Sequence, residues 1–77
     1  MATTRLIDHQ LYPRQAISEA RTAYKEYCSV KVEPMPGNKA TLTIDVFSAH
    51  AHTEREVVLS FMNFALDKAL ELHLASI

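Results

Sequence analysis

The sequence predicts a single α+β domain over residues 1–77, with the element order β-α-β-β-α. Three observations lead to this fold class. A chain of 77 residues has room for one small domain. Two segments alternate apolar and polar residues on either side of a turn that contains proline and glycine, which is typical of a β-hairpin. Two other segments repeat apolar residues every three or four positions, which is typical of amphipathic helices.

The N-terminal third predicts a strand followed by a helix. Residues 3–12 combine β-tolerant and apolar residues. The side chains expected to be buried in this strand are Leu6, Ile7, Leu11 and Tyr12. Pro13 fits the first position of the helix that follows, because its missing N–H has no intrahelical partner there. The apolar positions of that helix are Ala16, Ile17, Ala20, Ala23, Tyr24 and Tyr27.

The middle of the chain predicts a β-hairpin. Apolar residues alternate with polar ones over residues 28–33 and again over residues 40–47, as they do in strands with one buried face. Residues 34–39 form the turn between them. Gly37, the single glycine of the chain, lies in this turn, and a positive φ costs least at a glycine.

The C-terminal part predicts one long helix with too much apolar surface for a single cover. Thr53 and Glu56 form a capping-box sequence, and the helix runs from there to about Ala75. Its length is about 33 Å, against about 23 Å for a seven-residue strand, so we expect it to extend past the sheet. Polar residues occupy a stripe of only about 80°. The remaining apolar surface is either covered by the first helix or forms a protein interface.

The element order matches a split βαβ, ferredoxin-like unit that lacks its last strand, with a three-stranded sheet and both helices on one face. Without a fourth strand, one edge of the first strand is left unpaired. An unpaired edge can bind a second copy of the chain or an extended peptide.

Composition excludes several classes of protein. The net charge of −1 argues against nucleic-acid binding and against an anionic membrane surface. The single cysteine, Cys28, cannot form an internal disulfide. The sequence shows no signal peptide and no apolar stretch long enough to cross a membrane. We therefore expect a cytoplasmic domain.

Few residues of the sequence suggest a catalytic or metal-binding role. His50 and His52, with Glu54 and Glu56 nearby, can supply two or three ligands to Zn²⁺, but a solvent-exposed loop before a helix cap explains the same residues. Cys28 alternates with valines in a strand, which favours a small buried side chain over a nucleophile. The sequence contains no nucleophile–base arrangement and no cofactor motif. We expect no catalytic residue and no cofactor.

Four parts of the sequence together suggest a family: Tyr12-Pro13-x-x-Ala16-Ile17-x-x-Ala20, Tyr24, Cys28-x-Val30, and Phe61-x-Asn63-x-x-Leu66-Asp67-x-x-Leu70. By these residues the chain resembles HxsD, a small protein family of His-Xaa-Ser peptide-modification systems, from about residue 5 to residue 74. The resemblance implies an accessory protein that assists a radical S-adenosylmethionine enzyme in modifying a ribosomally made peptide.

This implied role agrees with a non-catalytic binding module. The partner is then the radical enzyme, its precursor peptide, or a second copy of the chain. The residues expected to contact a partner are Leu6, Ile7, Phe61, Asn63, Phe64 and Asp67. The alternative is a homo-oligomeric structural or interaction protein with no peptide ligand, and a more distant one is a small metal-binding protein that uses His50 and His52.

Overall fold

A computed structural model describes residues 2–47 and 53–75 of the chain. The elements are β1 (Ala2–Asp8), α1 (Arg14–Ala23), β2 (Cys28–Met35), β3 (Lys39–Val46) and α2 (Glu54–Ala75). The three strands form one open sheet in the order β1-β3-β2, and β3 is antiparallel to both neighbours. The predicted α+β class and element order are confirmed.

Both helices pack on the same face of this sheet. The central strand β3 contributes Ala40, Leu42 and Ile44, which are fully buried. They lie in one apolar cluster with residues from β1, β2, α1 and α2, among them Ile7, Val30, Ile17 and Phe61. The other face of the sheet carries polar side chains such as Lys31 and Thr43, because side chains alternate between the two faces along a strand.

Local signals determine the turn and the long helix as predicted. Gly37 has φ = 79° and Asn38 has φ = 61°, two left-handed conformations that suit glycine and asparagine. At the start of α2, the N–H of Glu56 donates to Oγ1 of Thr53 over 3.2 Å. Thr53 therefore caps one of the N–H groups that a helix leaves without an intrahelical partner.

The first strand is shorter than expected, and this changes which residues are buried. The carbonyl of Asp8 accepts hydrogen bonds from the N–H groups of Leu11 and Tyr12, so the chain turns there instead of continuing as a strand. Leu11 is 58% exposed in this turn, and Leu6 is 64% exposed on the polar face of the sheet. The expectation that both leucines are buried was wrong, whereas Ile7 is buried.

The hydrogen bonds of β3 alternate between its two neighbours. The N–H of His9 donates to the carbonyl of Asn38, which continues the β1–β3 ladder and places the odd-numbered residues of β1 in its hydrogen-bonded pairs. The N–H of Phe47 donates to the carbonyl of Tyr27, which continues the β2–β3 ladder. The odd-numbered residues of β2 are therefore in its hydrogen-bonded pairs. The N–H and C=O groups of even-numbered residues on β1 and β2 therefore point away from β3.

α2 exposes apolar side chains, as its composition predicted. Leu59, Leu70 and Leu74 are 51%, 54% and 68% exposed. The high exposure of Leu70 and Leu74 agrees with a helix that extends past the sheet. Neither α1 nor α2, as far as the described residues extend, combines the length and the hydrophobicity that a membrane span requires.

Candidate functional site

An open groove with a volume of ≈ 560 Å³ lies between the C-terminal end of α1 and the first half of α2. Its lining combines aromatic rings with a few polar groups: Ala23, Tyr24, Tyr27, Glu56, Val57, Ser60 and Phe64. This volume is within the usual range of small-ligand sites. We call it the aromatic groove.

Tyr24 connects the three elements α1, β2 and α2 at the groove. Its carbonyl accepts the N–H groups of Tyr27 and Cys28, and so forms the turn that leads from α1 into β2. Its hydroxyl forms a hydrogen bond with Oγ of Ser60 on α2. The helix α1 ends at Ala23, one residue earlier, and Tyr24 has a non-helical backbone (φ −106°, ψ 11°). The predicted continuation of this helix to Tyr27 was wrong.

The aromatic side chains form a connected cluster. The Tyr24 ring contacts Phe61 and Phe64 edge to face, with centroids 5.7 Å apart in both pairs, and the ring centroid of Tyr27 lies 6.0 Å from that of Tyr24. Such arrangements place the positive edge of one ring against the negative face of another. Phe61 is fully buried beneath the cluster, while Tyr27 is 38% exposed at the mouth of the groove.

A cation already lies on one of these rings. Nζ of Lys68 is 5.7 Å from the centroid of Phe64 and 3.1 Å from Oε2 of Glu71. The hydrogen bond and the negative charge of Glu71 raise the pKa of Lys68 above the ordinary lysine value, at which the side chain is already an ammonium group at neutral pH. The aromatic cluster therefore accommodates a positively charged group at its edge.

Polar groups on α2 continue along the groove. Glu56, Ser60, Asn63 and Asp67 follow one another at four-, three- and four-residue spacing, so they lie on one side of the helix. Glu56 and Ser60 line the groove itself, and Asn63 and Asp67 are exposed beyond it. Aromatic faces beside a carboxylate suit a side chain that is cationic, or aromatic and protonatable.

The expected contact residues divide into two groups. Phe64 lines the groove, and Asn63 and Asp67 are exposed on the adjoining side of α2, so these three can meet a partner. Phe61 is 0% exposed and Ile7 is 3% exposed. Their assignment to a contact surface is corrected, because both side chains belong to the core.

Leu6 is exposed, but it lies far from this group in the fold. It is on β1 and points to the polar face of the sheet, opposite to the helices. The predicted contact residues on the first strand and on the second helix therefore belong to two separate surfaces.

Sequence reasoning missed most of the groove. Tyr24, Tyr27, Ser60 and Glu56 were not among the predicted contacts, although two aromatic pairs spaced three residues apart (Tyr24 with Tyr27, Phe61 with Phe64) were visible. Two aromatic pairs with the same spacing can contact each other when their elements are neighbours. Only the fold shows that the tyrosine pair and the phenylalanine pair are neighbours.

The remaining residues considered for chemistry are Cys28 and the two histidines, His50 and His52. Cys28 is buried, its Sγ is 3.7 Å from the Tyr24 carbonyl, and burial raises the pKa of its thiol. The prediction that Cys28 packs as a small apolar side chain is confirmed by its burial in the core cluster. His50 and His52 lie outside the described residues, so their metal binding stays a prediction. Residues 2–47 and 53–75 contain no group of three side chains that could hold a metal ion.

Comparison with known proteins finds no matching family model, no matching curated protein and no matching solved structure.

Proposed function

We propose that this chain is a non-catalytic, cytoplasmic binding module that holds a ribosomally made peptide for a radical S-adenosylmethionine enzyme. The observation that carries this proposal is the aromatic groove, whose lining combines Tyr24, Tyr27 and Phe64 with Glu56. The resemblance to HxsD supplies the class of peptide, one that contains His-Xaa-Ser repeats.

The chemistry of such a peptide agrees with the groove. A histidine imidazole stacks on aromatic rings and, when protonated, is attracted to a carboxylate. Serine hydroxyls can bond to the polar side of α2, where Asn63 and Asp67 are exposed. The accessory protein then contributes position, and the radical enzyme contributes the chemistry.

The first experiment is an NMR titration of the ¹⁵N-labelled chain with a synthetic peptide of His-Gly-Ser repeats. We expect saturable shifts at the amides of Tyr27 and Ser60. Tyr27→Leu should weaken binding about tenfold, because it removes one aromatic face. Leu70→Ala is the matched control, since Leu70 is exposed on a different side of α2, and it should leave the affinity unchanged.

A flat titration would contradict the peptide site and favour the alternative, a homo-oligomeric protein with no peptide ligand. The accessory role has its own test, in which the chain is added to the radical enzyme together with its peptide. We expect wild type to increase peptide modification and Tyr27→Leu to do so less. Equal rates with and without the chain would contradict the accessory role.

A further inference from the structure

The unpaired edge of β1 and the exposed side of α2 lie next to each other. A shallow depression between them is lined by Thr3, Arg5, Glu54, Arg55, Val58 and Leu59. Leu59 is 51% exposed at its rim. Within the described residues, no strand lies beyond β1. This surface is separate from the aromatic groove, which β1 does not line.

The edge offers its hydrogen-bonding groups at alternate residues. By the alternation in the ladder, the N–H and C=O groups of Ala2, Thr4 and Leu6 point outward. The Thr4 carbonyl accepts a bond from Nη1 of Arg5 over 3.3 Å, which confirms its direction. This contact between neighbouring residues is exposed, so an incoming strand can replace it.

We propose that a second copy of this chain covers the surface, with its β1 antiparallel to this β1 and a two-fold axis at Thr4. The axis must pass through a residue pair, because opposite residues in an antiparallel pair point to the same face. Near the middle of the strand, the axis can pass through Thr4, Arg5 or Leu6. Hydrogen bonding and charge decide among these three positions.

Two of the three axes have a defect. An axis at Arg5 sets two guanidinium groups directly opposite each other, which is unfavourable. An axis at Leu6 pairs Thr4 with Asp8, but the Asp8 carbonyl already accepts the N–H groups of Leu11 and Tyr12. An axis at Thr4 pairs Thr4 with Thr4 and Ala2 with Leu6, and every outward group of these residues gains a partner.

The buried, unpartnered oxygen of Glu54 supports the same axis, although Arg5 and Arg55 of the same chain also line the depression. Thr3 then lies opposite Arg5 of the second copy, on the side of the sheet that faces the helices. Thr3 lines the depression that contains Glu54, whose Oε1 is buried without a hydrogen-bond partner. Arg5 of the second copy supplies a donor to that oxygen. The axis also brings Leu59 of one copy toward Leu59 of the other, and Ala2 covers the exposed Leu6.

The experiment has two parts. Sedimentation equilibrium over a wide range of concentration should show a monomer–dimer equilibrium for wild type. Leu59→Glu should weaken it at least about tenfold, because a charge replaces an apolar contact at the axis. Leu74→Glu, on the same helix but away from β1, should leave the equilibrium unchanged.

Cysteine cross-linking tests the register in a Cys28→Ala background. Thr4→Cys should form a disulfide-linked dimer under mild oxidation, since the residue lies on the axis, and Leu6→Cys should not. A monomer at every concentration, or equal loss of dimer with Leu59→Glu and Leu74→Glu, would overturn the proposal. Efficient cross-linking at residue 6 but not at residue 4 would overturn the assigned axis.

Discussion

β1 and β2 are both edge strands, and each pairs with β3 on one side only, but their outward sides differ. The outward position 34 of β2 is a proline, which has no N–H to offer. Lys31 and Glu33 form an exposed ion pair over 3.5 Å on the same strand. The outward positions of β1 are Ala2, Thr4, Leu6 and Asp8, and none of them is a proline. One edge therefore resists strand pairing, whereas the other permits it.

The largest effect on stability is expected from removing an N–H group of β1 that bonds to β3, compared with one that points outward. Arg5→Pro removes an N–H that bonds to Leu42 of β3, and we expect a loss of about 1–3 kcal/mol in the free energy of unfolding. Thr4→Pro removes an N–H that points outward and should cost much less. Urea unfolding of both variants at low protein concentration measures the difference, and equal losses would show that the alternation is misassigned.

Removing the protection of β2 should have an intermediate effect. The double variant Lys31→Val/Pro34→Val restores an outward N–H at residue 34 and removes the positive charge of the Lys31–Glu33 ion pair. We expect the folded chain to associate through a second edge, so that its soluble concentration falls several-fold. Light scattering against protein concentration tests this, with Lys39→Val, a change of charge outside β2, as the control.

The smallest effect concerns stability at the protected edge. Lys31→Ala should change the free energy of unfolding by less than about 0.5 kcal/mol, because an exposed ion pair contributes little. Thermal unfolding of Lys31→Ala and Glu33→Ala should give nearly equal midpoints. A large loss in either variant would mean that the pair stabilises the strand instead of discouraging association.

The sequence predicted those parts of the fold that depend on neighbouring residues. The alternation around Val30 and Ile44 identified the hairpin, and the hydroxyl of Thr53 identified the start of α2. The adjacent residues Leu6 and Ile7 are both apolar, so their pattern did not show which one faces the core. Only the pairing of β1 with β3 decides it.

The candidate site was less predictable for a related reason. The groove exists because α1 ends at Ala23, which lets Tyr24 and Tyr27 leave the helix and meet α2. No glycine or proline marks this end, so the sequence favoured a longer helix. Asn63, Phe64 and Asp67 were expected on a contact surface and do lie at or near the groove, whereas the tyrosines opposite them required tertiary structure.

The bond between Tyr24 and Ser60 joins residues that are 36 positions apart in the chain. The β2–β3 hairpin, by contrast, closes over a few residues around Gly37. Long loops close with a larger loss of chain entropy than short ones, so the hairpin is expected to fold early and α2 to attach late. A molecule bound across Tyr24 and Ser60 would hold the last-formed contact in place, and it would therefore slow unfolding more than it speeds folding.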